Sequence, residues 1–139
     1  MTNPQDQQRN VKVVLLGHQN VGKTSLMNLY VTRHSSQIIV VKVVLIRDHI
    51  INFHIWDTAG LERYDSMTTT YYRNAAAAIV CFDLTEPETL EKAKEWVNRV
   101  RNSEENCMIY LCGTKRDILQ NDNRILMIAG TYAEEANTK

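Results

Sequence analysis

The sequence lacks any apolar run that approaches the length of a membrane-spanning helix, and it lacks an excess of charge of either sign. A spanning helix needs about 20 consecutive apolar residues, and the longest apolar runs here are a handful of residues. Sixteen basic residues balance sixteen acidic ones, so the net charge indicates neither nucleic acid nor an anionic membrane as a partner. At 139 residues and 44% hydrophobic residues, the chain suffices for one domain with its own core.

Cysteine is scarce, and its placement excludes the common metal motifs. Cys81, Cys107 and Cys112 form no CxxC pair and no cysteine–histidine metal spacing. The four histidines likewise lack the spacing of metal ligands. Because the cysteines lie in or beside apolar runs, they indicate a reducing, cytoplasmic compartment. Basic residues do not interleave with the aromatic ones, which favours packing over a base-stacking surface for nucleic acid.

Both ends of the sequence lack a membrane signal. Residues 1–10 are polar without an apolar centre, so we expect a disordered lead-in rather than a signal peptide, with the folded domain at 11–139. The last residues contain no cysteine for prenylation. We therefore expect no intrinsic membrane anchor in this chain and a peripheral association with endomembranes only through partners.

Alternating strand and helix patterns predict an α/β fold. Apolar, β-branched runs predict strands at 11–16, 37–46, 50–56, 75–82 and 107–112. Helical spacing predicts helices at about 23–34, after Pro87 and at about 125–136. The second and third strands form a hairpin whose turn lacks glycine. This order predicts a doubly wound, mostly parallel sheet with one antiparallel edge strand.

Two glycines flank a segment that follows the first strand and precedes the first helix. In Gly17-His18-Gln19-Asn20-Val21-Gly22-Lys23-Thr24 the glycines let the backbone amides turn toward phosphate oxygens, while Lys23 adds a cation and Thr24 a hydroxyl for Mg²⁺. A simple strand-to-helix turn is the alternative. The context favours a triphosphate-binding loop made of Gly17, Gln19, Asn20, Val21, Gly22, Lys23, Thr24 and Ser25.

A carboxylate and a glycine follow the third strand. Asp57 is placed to hold Mg²⁺ through water, and the Gly60 amide is placed to meet a γ-phosphate. An ordinary turn capped by aspartate is the alternative. Because ligands of open α/β sheets bind at the carboxyl ends of the strands, both motifs would share one edge.

The fifth strand is followed by Gly113-Thr114-Lys115-Arg116-Asp117. The Asp117 carboxylate can accept two hydrogen bonds from the N1–H and amino edge of guanine, a pair of donors that adenine does not offer. A solvated charged turn is the alternative. Thr114, Lys115 and Asp117 therefore complete a predicted site for GTP or GDP with Mg²⁺.

These motifs, together with Trp56–Tyr64, Tyr71–Ala75 and Leu111–Lys115, resemble the Rab family of Ras-like small GTPases over about 11–117. Within that family the sequence is most similar to the atypical subgroup called Rab twenty-four. The resemblance implies a P-loop NTPase fold, a GTP-hydrolysing switch in vesicle traffic or autophagy, and effectors and exchange factors as protein partners.

Several residues depart from the family pattern. Leu61 stands where the family has the glutamine that orients the attacking water, so no catalytic residue is assigned, and Gln19 replaces a small residue in the phosphate loop. Thr114 stands in place of an asparagine, which weakens the expected guanine affinity more than the selectivity. The departures at Leu61 and Gln19 predict a protein that binds GTP and hydrolyses it slowly.

The segment of the first switch is short. Only 31 residues separate Thr24 from Trp56, and the family's Thr-Ile-Gly motif is missing. The sequence also ends before the family's last strand and helix, so we expect a C-terminally incomplete domain. Both features favour the alternative function, a non-switching or nucleotide-poor interaction module from a shortened relative.

Overall fold

The strand that precedes the glycine-flanked loop lies at the centre of the sheet. The computed structural model describes residues 8–18, 21–23, 26, 39–57, 71–118 and 124–139. Strand β1 (Gln8–Gly17) pairs in parallel with β3 (His49–Asp57) on one side and with β4 (Ala77–Asp83) on the other. Its C-terminal residues are fully buried, as its apolar run predicts.

The start of β1 differs from the predicted boundary. Gln8, Arg9 and Asn10 were assigned to the disordered lead-in, yet they belong to the strand because each pairs with a residue of β3. The polar composition hid this extension, since these side chains are exposed while their backbone groups join the sheet. The rest of the predicted lead-in lies outside the described residues.

The predicted hairpin is formed by β2 (Ile39–Ile46) and β3, which run antiparallel. Ile46 pairs with His49, so His49 belongs to β3 and the turn contains only Arg47 and Asp48. Both turn residues have positive φ, 47° and 67°. That is the backbone of a two-residue type I′ turn, whose twist matches that of the strands it joins.

The sheet has five strands among the described residues, in the order β2-β3-β1-β4-β5, with β5 at Met108–Thr114. All neighbouring pairs are parallel except β2 with β3. The predicted α/β fold with one antiparallel edge strand is confirmed. Beside β5, the backbone of Lys139 donates to the Ile109 carbonyl (2.9 Å) and accepts from the Leu111 amide (2.8 Å).

Two helices pack on one face of the sheet. Helix α1 (Glu88–Ser103) begins after Pro87, as predicted, and helix α2 (Arg124–Glu135) follows a 3₁₀ turn at Arg116–Ile118. The core between helices and sheet is built from apolar side chains spaced to face inward, among them Val14, Leu16, Val80, Phe82, Leu90, Trp96, Val97, Val100, Ile109, Ile125 and Ala129. Trp96 therefore packs in the core rather than on a binding surface.

The opposite face carries a smaller cluster, in which Leu15 and Val40 pack with Ile55 and Ile79. Of the helix predicted at 23–34, only Lys23 and Leu26 lie within the described residues, and both are helical. The described helices include none that is long and apolar enough to cross a membrane.

Candidate functional site

The phosphate loop begins at the end of β1, where the backbone leaves no room for a side chain. Gly17 pairs with Cys81 and has φ of 147°. A Cβ atom at Gly17 would lie 2.5 Å from the Cys81 carbonyl oxygen and 3.2 Å from Val21 Cγ2. Gly22 at the other end of the loop also has a positive φ, 97°. Both glycines are thus required by the local backbone, as their spacing predicted.

Lys23 is buried under this loop, with 3% of its surface exposed. Its ammonium donates to the backbone carbonyls of Gly17 (2.7 Å) and His18 (2.8 Å). A buried ammonium is costly unless such groups compensate its charge. The amide of Leu26 donates to the Gly22 carbonyl at 2.9 Å, so a helical turn starts at the loop. The structure thereby places a cation and a helix N-terminus together, the arrangement that suits a phosphate.

Asp57 ends β3 beside the loop. It pairs with Leu15, two residues before Gly17, and is 3% exposed. Buried carboxylates are stable when they are paired or coordinate a metal. Its oxygen chemistry fits a hard cation such as Mg²⁺, so the donor type and the position of Asp57 agree with the metal role predicted for it.

Thr114 connects the phosphate loop to the end of β5. Its hydroxyl donates to the Val21 carbonyl and lies 3.0 Å from the Phe82 carbonyl oxygen. The side chain also packs against Gly22, where a Cβ atom would lie 3.6 Å from Thr114 Cβ. A single hydroxyl therefore holds the loop after β1 close to the ends of β4 and β5.

Lys115 has a left-handed backbone, with φ of 62°, and an ion pair with a buried carboxylate. Its ammonium lies 2.7 Å from Asp83 Oδ2, and the Asp83 side chain is 1% exposed. Asp83 Oδ1 accepts from the amide and hydroxyl of Thr85, at 2.8 and 2.6 Å. The ion pair fixes Lys115 against the end of β4, and hence the direction of the chain toward Asp117.

The same contacts perturb both pKa values. Burial alone would raise the pKa of the Asp83 carboxyl, but the hydrogen bonds from Lys115 and Thr85 outweigh burial and lower it. The hydrogen bond from Asp83 raises the pKa of Lys115. Both residues are therefore charged at neutral pH, and the pair persists across that range.

Asp117 lies in the 3₁₀ turn that follows, and its side chain is exposed. A carboxylate in this position is accessible to a ligand that approaches the carboxyl edge of the sheet. Its geometry thus agrees with its predicted contact to a base edge, which needs an exposed acceptor.

The structure brings eight of the predicted site residues to one edge, at the carboxyl ends of β1, β3 and β5: Gly17, Val21, Gly22, Lys23, Asp57, Thr114, Lys115 and Asp117. The other predicted site positions lie outside the described residues: Gln19, Asn20, Thr24, Ser25, Gly60 and Leu61. Their assigned roles stay predictions.

Asp83 is the residue of this site that the sequence analysis missed. Its signal was present, because an aspartate at the end of a buried strand is the same pattern that identified Asp57. The sequence pattern did not identify the partner of Asp83. Asp83 pairs with Thr114 in the β4–β5 register, which places Lys115 beside Asp83. That register is known only from the folded sheet.

Comparison with known proteins identifies the family of this chain. The sequence model of the Ras family matches residues 12–139. Rab5A of Oryza sativa subsp. japonica is 37% identical over 142 residues, which cover 96% of this chain and 70% of that protein. The chain belongs to the Rab branch of the Ras family.

Two other Rab relatives are longer than the part they share with this chain. Rab-24 of Dictyostelium discoideum is 39% identical over 117 residues, 79% of this chain and 58% of that protein. The GTP-binding protein YPT52 of Saccharomyces cerevisiae is 37% identical over 127 residues, 78% of this chain and 54% of that protein. The chain thus spans little more than half the length of these two Rab relatives, and the family resemblance inferred from the motifs is confirmed.

Proposed function

We propose that this chain is a Rab-type guanine-nucleotide-binding protein that regulates vesicle traffic and hydrolyses GTP slowly. The observation that carries the proposal is the bridge made by Thr114. Because its hydroxyl binds the phosphate loop at Val21 and lies against Phe82, the phosphate-binding and base-binding loops are held as one unit. A ligand with phosphates at one end and a base at the other fits such a pair of loops.

Residues 11–139 would form the nucleotide-binding domain. Within it, each end of the nucleotide has a proposed partner. Lys23 would pair with the β- and γ-phosphates, in exchange for the loop carbonyls that now hold it. Asp117 would accept the donors of the guanine edge. Asp57 and Thr24 would hold Mg²⁺, which when bound neutralises charge on the β- and γ-phosphates.

Slow hydrolysis rests on two positions of the sequence. Leu61 has no hydrogen-bonding group with which to orient a water molecule. Gln19 adds bulk to the loop that faces the γ-phosphate. Both changes affect the transition state more than the binding of GTP, because water positioning matters only during cleavage.

Partners and location follow from the same family. Membership of the Rab family supports protein effectors and exchange factors as partners. The resemblance of the motifs to the subgroup Rab twenty-four is the basis for proposing a role in autophagy alongside vesicle traffic. Attachment to endomembranes would come through those partners, with the protein otherwise in the cytoplasm.

A second function, an interaction module that binds nucleotide weakly, is favoured by one observation. Four side chains on one face of the edge strand β2 are apolar and strongly exposed: Ile39 (43%), Val41 (51%), Val43 (61%) and Leu45 (70%). Exposed apolar patches of this kind commonly mark protein contacts. Nucleotide binding separates this function from the first.

The deciding experiment measures mant-GDP fluorescence during titration of the protein in Mg²⁺. We expect saturable binding by the unmodified chain and its loss in Lys23→Ala, because the cation beneath the phosphates is removed. Lys92→Ala is the matched control, since Lys92 is exposed and pairs only weakly with Glu95 at 3.7 Å. If the unmodified chain shows no saturable binding, the interaction module replaces the nucleotide switch.

A further inference from the structure

Two cysteines face each other across neighbouring strands directly behind the nucleotide loops. Cys81 in β4 pairs with Cys112 in β5, and neither forms a disulfide in the structure. Directly paired residues of parallel strands carry their side chains on the same face of the sheet. Each thiol perturbs the pKa of the other, as neighbouring groups on one face do. Nothing in the sequence motifs predicts this contact, because it depends on the β4–β5 register.

The two thiols differ in access. Cys81 is fully buried, whereas Cys112 is half-buried. A small reagent can therefore reach Cys112 more readily than Cys81. This division suits a pair in which one sulfur reacts with an oxidant and the other resolves the product.

The electrostatic surroundings support the same division. The hydrogen bond from Cys81 lowers the pKa of Cys112 to about 7, although burial acts in the opposite direction. That hydrogen bond and burial raise the pKa of Cys81, where the positive charge of Lys23 and the negative charge of Asp57 act in opposite directions. A fraction of Cys112 is thus thiolate at neutral pH, and the thiolate is the nucleophilic form.

We propose that Cys81 and Cys112 form a redox dithiol, which hydrogen peroxide converts into a disulfide that a thiol reductant reverses. The Cys112 thiolate attacks one peroxide oxygen, the O–O bond breaks, and the departing hydroxide is protonated to water. The sulfur is oxidised to a sulfenic acid while the peroxide is reduced. Cys81 then attacks that sulfur, the S–O bond breaks, and a second water leaves with the Cys81 proton.

Disulfide formation would act on the loops beside it. Directly paired residues of neighbouring strands have Cβ atoms about as far apart as the strands, about 4.7–4.9 Å. The Cβ atoms of a disulfide lie about 3.8 Å apart. Bond formation therefore draws the Cβ atoms of Cys81 and Cys112 together, and with them β4 and β5. Gly17 lies close to this part of β4, because a Cβ atom added there would lie only 2.5 Å from the Cys81 carbonyl oxygen. Thr114 spans the same two strands through Phe82. The displacement therefore reaches both nucleotide loops.

The effect on nucleotide release rests on the proposed function. We expect the oxidised protein to release mant-GDP about fivefold faster than the reduced protein. The disulfide itself does not depend on nucleotide binding, so its formation is measured separately.

The first test oxidises the full chain with hydrogen peroxide at pH 7, blocks the remaining thiols with iodoacetamide and identifies linked peptides by mass spectrometry. We expect a Cys81–Cys112 link within one chain that dithiothreitol reverses. Cys107→Ser is the matched control and keeps the link, because Cys107 lies in the core against the helices. Cys112→Ser loses it. Alkylation of the reduced chain reports separately on access, and we expect it to modify Cys112 before Cys81.

Two results would overturn the dithiol: links only between different chains, or Cys112 oxidised to sulfinic acid while Cys81 stays reduced. A disulfide that leaves mant-GDP release unchanged would contradict the coupling to the loops. A reduced protein that binds no mant-GDP would contradict the proposed function instead, and the linked peptide would still decide whether the dithiol exists.

Discussion

Lys115 and Asp83 fix the backbone that leads to Asp117, the carboxylate that we propose binds guanine. A φ near 60° at a non-glycine residue costs about 1–3 kcal/mol of folding stability, so it persists only where surrounding contacts hold it. For Lys115 the holding contact is the 2.7 Å ion pair with Asp83. Because Asp83 is buried and also accepts from Thr85, the ion pair contributes order to the loop as well as charge.

We predict that Asp83→Asn lowers the free energy of unfolding by about 1–2 kcal/mol at pH 7, because a charge-assisted hydrogen bond is lost. The folded pKa of Asp83 is depressed, so its stabilisation is present above the unfolded value, 3.8, and is lost as the pH falls through the folded pKa. The difference between variant and parent should therefore shrink below about pH 4. Urea unfolding measures both values.

Glu91→Gln is the control for that experiment. Glu91 pairs with Lys94 at 3.0 Å, yet its side chain is 70% exposed. Exposed pairs contribute about 0–1 kcal/mol, so this variant should change stability little. An Asp83→Asn protein as stable at pH 7 as the parent would show that the ion pair does not hold the loop.

Leu61 limits hydrolysis in our account. We predict that Leu61→Gln raises the rate of single-turnover GTP cleavage about tenfold or more, because the amide supplies a group that orients water. GTP affinity should stay within about twofold, since the new contact acts only in cleavage. Leu61→Ala removes the bulk without adding a hydrogen-bonding group and should not increase the rate. Equal gains in both variants would indicate a steric effect instead.

At the scale of elements, the β2–β3 hairpin shows which structural features the sequence alone predicts and which it does not. The apolar, β-branched runs predicted both strands, and the structure confirms them within a few residues. The absence of glycine made the turn look unfavourable, yet Arg47 and Asp48 adopt positive φ because the register from Ile46 to His49 leaves only two residues for the turn. The sheet contacts thus override the turn preference.

We predict that replacing Arg47-Asp48 with Asn-Gly stabilises the protein by about 1 kcal/mol, because asparagine and glycine tolerate positive φ. The melting temperature should rise by about 3 °C. Asn106→Gly is the control: Asn106 also lies in a turn but has no positive φ, so glycine there should not stabilise. A hairpin variant no more stable than the parent would show that the positive φ of Arg47 and Asp48 costs no stability.

The candidate site likewise contains residues that the sequence predicts and contacts that it does not. Gly17, Lys23, Asp57 and Asp117 were predictable because each belongs to a contiguous motif at a strand end. The partners of the site were not, since Thr114 reaches Val21 across 93 positions of the chain and Asp83 meets Lys115 across two strands. Such contacts depend on strand order and register, which local spacing does not specify.

At the scale of the whole molecule, the predicted ligand-binding groups lie at one edge of the sheet and a row of exposed apolar side chains lies at another. The carboxyl ends of β1, β3 and β5 carry the predicted ligand groups. The outer strand β2 exposes a row of apolar side chains. With no net charge to guide a partner over distance, recognition depends on these two local surfaces.

The central claim is that this edge binds a guanine nucleotide. Its most direct test is the displacement of bound mant-GDP by unlabelled GDP or ADP, in the parent chain and in Asp117→Asn. We predict that GDP displaces the probe and that ADP needs about a hundredfold higher concentration, because only guanine offers two donors to Asp117. Asp117→Asn should lose most of that preference. Equal displacement by GDP and ADP from the parent chain would contradict the account.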